Sequence, residues 1–153
     1  MDIIPHEDFS HTVIIGETEI LFRELMGKDI YYIELWREDD KDQEFLQSSD
    51  FLHSMIERLS VDPYRITQED LLDFLAPDYR KLLEWFCENR LQDRLLSLNN
   101  WLTLCFHLSK QRWTSDLEWF ENQPLIKIIQ MSDIQAKFHE QVNKSMKESS
   151  KKK

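Results

Sequence analysis

TVIIGETEILFRELMGKDIYYIELW, residues 12–36, is the one stretch in which the hydrophobic repeat changes period. Val13, Ile14 and Ile15 form a β-branched run, Gly16 and Glu17 supply a turn, and Ile20 and Phe22 alternate with Glu19, Leu21 and Arg23. Two such runs split by a glycine-containing pair spell a β-hairpin over residues 12–23. Gly27 ends the extended segment. Beyond it, Tyr32, Leu35 and Trp36 share one helical face and Glu34, Arg37 and Glu38 the other, so the hairpin feeds an amphipathic helix.

Upstream, residues 1–10 hold Pro5, three acidic residues and no period, which predicts an extended lead-in that packs Phe9 against the hairpin. Downstream, residues 38–44 (EDDKDQE) contain no apolar side chain and read as a solvated loop or helix end. They lack the glycine that a calcium loop places at its sharp turn. Ser49 and Asp50 offer an N-cap to a helix carrying Phe51, Leu52, Met55, Ile56 and Leu59, stopped by Asp62 and Pro63. Thr67 and Asp70 form a capping-box pattern for a short helix with Leu71, Leu72, Phe74 and Leu75 that ends before Pro77.

From Asp78 the longest helical pattern begins, with Tyr79, Leu82, Leu83, Phe86 and Cys87 on one face, running to about Leu98 before Asn99 and Asn100 break it. Trp101, Leu102, Leu104, Cys105, Phe106 and Leu108 then surround a helical wheel, predicting a helix buried at the centre of a bundle. Thr114 and Ser115 cap a segment bearing Leu117, Trp119 and Phe120, and Pro124 suits the first turn of a last helix. The expected fold is therefore mainly α: a helical bundle with a small N-terminal β-hairpin, α+β by strict count. Residues 1–10 form the lead-in, 11–130 a single domain, and 131–153 a C-terminal helix with a frayed basic tail.

Totals agree. At 153 residues the chain suits one core, and 41% hydrophobic residues with 12% aromatics are too many for disorder. Two glycines and four prolines leave little for the turns of an all-β protein. A formal charge of −10 argues against a nucleic-acid partner, since phosphates need a positive footprint. Residues 1–9 have neither a basic region nor a long apolar run, so no secretory signal is expected, and no run approaches the roughly 20 apolar residues that span a bilayer. Cys87 and Cys105 sit in apolar helical runs and read as reduced core side chains, placing the protein in the cytoplasm.

No catalytic or cofactor motif emerges. The five histidines fall in no zinc spacing, and His107 stands two residues from Cys105, on a different helical face, as a core or boundary side chain. Glu69, Asp70 and Asp73 are the densest carboxylate set, best read as one cap and two solvated charges. Gly16 and Gly27 belong to no phosphate-binding loop. Expectation is therefore of a non-enzyme without metal or cofactor. The aromatics are the surplus: Trp113, Trp119 and Phe120 cluster in a Thr/Ser/Asp-rich connection and suit a partner surface. Past Met131 the apolar stripe thins to Ile134, Phe138, Val142 and Met146, a seam narrow enough to pair with one other helix, the alternative being a helix that lies along its own domain.

Three features resemble bacteriophage tail assembly chaperones and the related small baseplate (hub) assembly proteins of contractile-tailed phages. One is the hairpin followed by FRELMGKDIYYIE, residues 22–34, similar to that group's strand, Arg-Glu-Leu and Gly-Lys-Asp entry into its first helix, with Met26 where a small polar residue is usual. Another is ITQEDLLDFLAPDYRKLL, residues 66–83, similar to its Thr-x-x-Asp-Leu segment before a long helix. The third is an acidic chain of this length with a β cap and helical remainder. The likeness covers about residues 1–100. It implies a non-enzymatic factor that holds a tail, tape-measure or baseplate hub protein in the host cytoplasm or stays in the virion, with homo-oligomer formation an open question. The alternative is an acidic regulatory or inhibitory protein masking a basic, nucleic-acid-binding partner.

Overall fold

The structure, a computed structural model, describes residues 1–39, 44–90, 97–109 and 113–151. β2 (His11–Ile15) and β3 (Thr18–Phe22) pair antiparallel with Ile15 opposite Thr18, so Gly16 and Glu17 are the two-residue loop. Gly16 sits at φ +60°, where a side chain would be strained. Val13, Ile15, Ile20 and Phe22 are buried as the period-two pattern requires. A third strand, β1 (Asp2–Pro5), pairs antiparallel with β2, Asp2 opposite Ile14 and Pro5 opposite His11. The extended lead-in thus contributes a third strand to what was expected as a hairpin alone. All four β1 residues are exposed, so the strand is held by backbone bonds and leaves no alternation to read.

The outer edge of β3 is covered by the chain itself. The Val61 N–H donates to the Leu21 carbonyl at 2.8 Å, the Leu21 N–H to that of Tyr64 at 3.2 Å, and the Arg23 N–H to that of Leu59 at 2.9 Å. The segment leaving the second helix thus satisfies an edge that would otherwise invite another chain.

Seven α-helices follow among the described residues: α1 (Gly27–Asp39), α2 (Ser49–Leu59), α3 (Gln68–Leu72), α4 (Ala76–Arg90), α5 (Leu98–Ser109), α6 (Trp113–Glu121) and α7 (Leu125–Lys151), with a 3-10 turn at Glu44–Gln47. In α2 all five predicted core residues are buried, and the cap is Ser48 rather than Ser49, its hydroxyl accepting from the Phe51 N–H. The Thr67/Asp70 capping box is present in full at α3. Leu82, Trp85 and Phe86 carry α4 onto the sheet, with Trp85 and Phe86 at 5.6 and 5.7 Å from the Phe22 ring.

Several helical readings are corrected. In α1 the buried face is Gly27, Ile30 and Ile33; Leu35 is 61% exposed, because the β3 junction turns the isoleucines toward the core. Asn99 and Asn100 lie inside α5, and the expected run of α4 to Leu98 crosses residues 91–96, outside the described residues. α5 buries one face, through Trp101, Cys105 and Ser109; Phe106 and His107 are exposed, since α1, α6 and α7, which reach α5, leave that part of its circumference uncovered. Thr114 and Ser115 fall within α6. The longest helix is α7, with 27 residues. Of the charged loop 38–44, residues 40–43 lie outside the described residues, as do Lys152 and Lys153.

The two halves of the chain meet at Gly27. The Leu125 N–H donates to the Leu25 carbonyl at 2.8 Å, and the Gly27 N–H to that of Gln123 at 3.1 Å. A Cβ at position 27 would lie 2.5 Å from Trp101 Cζ2, 2.7 Å from the Phe120 carbonyl oxygen and 2.9 Å from Glu121 Cα. Two of these three atoms are backbone and cannot move cheaply. Gly27→Ala is therefore expected to destabilise the protein by about 1–3 kcal/mol, the usual cost of overpacking, read from urea unfolding; unchanged stability would refute this close approach.

Candidate interaction surface

α7 is anchored at one end. Leu125 and Ile128 are buried and Ile129 and Met131 pack on the core, but from Ile134 onward the apolar residues face outward. Ile134 is 69% exposed, Phe138 62%, Val142 38% and Met146 66%. Four-residue spacing keeps them on a slowly winding stripe. At its root lies a cleft of about 380 Å³ between α5 and α7, lined by Asn100, Thr103, Leu104, His107, Ile129, Ser132 and Asp133. His107 thus rims a surface cleft instead of the core.

The aromatic cluster on α6 divides. Trp119 is 45% exposed, with the Lys127 ammonium 5.5 Å from its ring centre. Phe120 is buried, 3% exposed, which removes it from any partner surface and makes it a core residue beside Gly27. Trp113 opens α6, and its side chain lies outside the described residues. Trp119 and the α7 stripe belong to neighbouring parts of one surface: Lys127 stands seven residues, about 10 Å along the helix, before Ile134. Sequence reasoning missed Leu72 and Leu75, 72% and 73% exposed. The signal was present, since α3 spans only Gln68–Leu72 and can turn just one of two adjacent leucines inward.

The titratable groups shielded by the fold, Asp29, Cys105 and Tyr31, are engaged in structure. Asp29, fully buried, accepts from Arg23 Nη1 and Nη2 at 2.7 and 2.8 Å, from Arg58 Nε at 2.8 Å and from the Met26 N–H at 2.8 Å. Burial pushes its pKa up, but the bonds and charge of Arg23, with those of Met26 and Arg58, outweigh this and hold it below the ordinary 3.8. Burial raises the Cys105 thiol to about 12, as expected of a core side chain. Burial and Glu121 raise the Tyr31 phenol to about 12, so it stays protonated and donates to Glu121 at 3.0 Å, joining α1 to α6. Among the described residues no group of three or more His, Cys, Asp or Glu is placed to hold a metal, and no helix is long and apolar enough to cross a membrane.

Comparison of the chain with protein-family models, curated proteins and solved structures finds no match.

Because its folded pKa is depressed, the Asp29 contribution is complete above the ordinary value and is lost as pH falls below 3.8 through the folded pKa. Asp29→Asn, which leaves two guanidinium groups without their counter-charge, is expected to cost about 3–5 kcal/mol at pH 7. In urea titrations the gap between wild type and variant should close at pH values below the folded pKa; a gap independent of pH would rule out the ionised network.

Proposed function

We propose that this protein is an assembly factor of the phage tail or baseplate kind, which binds a structural protein through the outward face of α7 and the adjoining cleft. One observation carries the partner-binding part: Ile134, Phe138, Val142 and Met146 form an exposed stripe on a helix whose burial ends near its root. Such a stripe is what a helix-in-groove or helix-pairing contact uses, with anchors every three or four residues. The likeness of residues 22–34 and 66–83 to tail assembly chaperones suggests the class of client, a tape-measure, tail or baseplate hub protein.

Charge supports a soluble holder. Six lysines against three acids give residues 133–153 a charge of +3, so residues 1–132 carry −13 of the net −10. The acidic body disfavours self-aggregation while the apolar helix remains available. That concentration of negative charge also favours the second reading, a regulator masking a basic partner. Salt separates the two, because a contact steered by charge weakens above about 0.15 M whereas an apolar contact persists.

Phe138→Ala is expected to change unfolding free energy by no more than about 0.5 kcal/mol, as for an exposed site, while coexpressed client protein loses solubility. Client retention equal to wild type with the variant, or no tail, tape-measure or hub protein held soluble by the wild type, would end this reading.

A further inference from the structure

A cleft of about 500 Å³ is lined by Arg23, Lys28, Tyr32, Ser54, Glu57, Arg58, Arg65 and Gln68, none of them from α7. Four cations converge there in a chain of net charge −10, against Glu57 at the wall and Asp29 beneath. Asp29 compensates the inner pair: Arg23 grips it with both Nη groups, and Arg58 turns its Nε to it with the Tyr32 ring 4.5 Å from the guanidinium carbon. Lys28 and Arg65 have no ion-pair partner among the described residues. The network therefore presents a preorganised guanidinium edge flanked by two uncompensated cations, an arrangement that accepts an oxyanion.

Two neighbouring features narrow the ligand. Past Arg65 the wall becomes acidic, with Glu19, Asp70 and Asp73 lining the next cleft, so a polyanion running in that direction is repelled. On the other side a cleft of about 390 Å³ shares Lys28, Tyr32 and Arg58 and adds Tyr31, Leu35 and Leu98, with Glu34 at its rim. Leu35 is 61% exposed there. One negative charge beside an apolar side chain fits this pair of clefts.

We infer that the cleft at the α1/α2 junction binds a carboxylate-bearing peptide segment of a partner protein, the carboxylate facing Lys28, Arg58 and Arg65 and an adjacent apolar residue resting on Leu35 and Tyr31. The site is separate from the α7 stripe, and Phe138→Ala leaves it intact.

The full chain, labelled with nitrogen-15, is titrated with the peptide Ac-Leu-Glu-Leu-Leu-NH2, its glutamine counterpart and inorganic phosphate, following amide shifts. Saturable shifts confined to residues 28–35, 54–58 and 65–68 are expected with the glutamate peptide. The glutamine peptide, and the double variant Lys28→Gln/Arg65→Gln, should bind at least tenfold more weakly, and Leu35→Ser should weaken peptide binding without affecting phosphate. Absence of localised shifts, or equal binding of both peptides, would overturn the proposal. Phosphate binding as tight as the glutamate peptide with no effect of Leu35→Ser would also overturn it, marking a free-oxyanion site.

Discussion

A fully buried carboxylate must be satisfied or it cannot be tolerated, and Asp29 meets that demand by drawing donors from separate parts of the chain. Arg23 leaves the end of β3, the Met26 N–H closes the strand-to-helix turn, and Arg58 arrives from the last turn of α2. The sheet, α1 and α2 are thereby fixed to one point. Geometry two residues earlier lies on the same turn: Gly27 comes within van der Waals reach of Trp101 and the end of α6 where α1 begins, at the turn that Asp29 holds. Polar satisfaction and close packing thus share a single turn of chain.

How much of this could be read in advance differs by element. The hairpin, the five core residues of α2 and the Thr67/Asp70 box were legible because each is a local rule: a period, a cap, a turn residue. β1 was not, since an exposed strand paired only by backbone carries no pattern. α5 misled for the opposite reason. Apolar side chains all around a wheel suggest complete burial, yet which faces are covered depends on which elements arrive, and α1, α6 and α7 leave Phe106 and His107 uncovered. Asp29 and Arg23, six residues apart, gave no warning of Arg58, whose approach depends on the packing of α2.

The candidate surface shows the same division. Ile134, Phe138 and Val142 stood out through a thinning stripe, a local feature, and the structure leaves them exposed. Phe120 and Trp119 are adjacent in sequence and look alike in composition, but one helical step of about 100° buries the first side chain in the core and leaves the second in solvent. Acidic and basic residues are segregated as well, with the body strongly negative and the end of α7 positive. Segregation of this kind gives the two ends of the molecule different long-range preferences before any contact forms.

The length of α7 adds a mechanical consequence. Its 27 residues span about 40 Å, while its buried anchors, Leu125 and Ile128, occupy only the first turn. Such an element is a lever with its fulcrum beside Gly27. Beyond Met131, which still packs on the core, about 30 Å of helix projects, so a tilt of about 10° would carry the far end by about 5 Å, close to one helical turn. Small adjustments where residues 25–27 meet residues 123–125 therefore become large changes in where the tip can reach, so a rigid fulcrum determines the molecule's span.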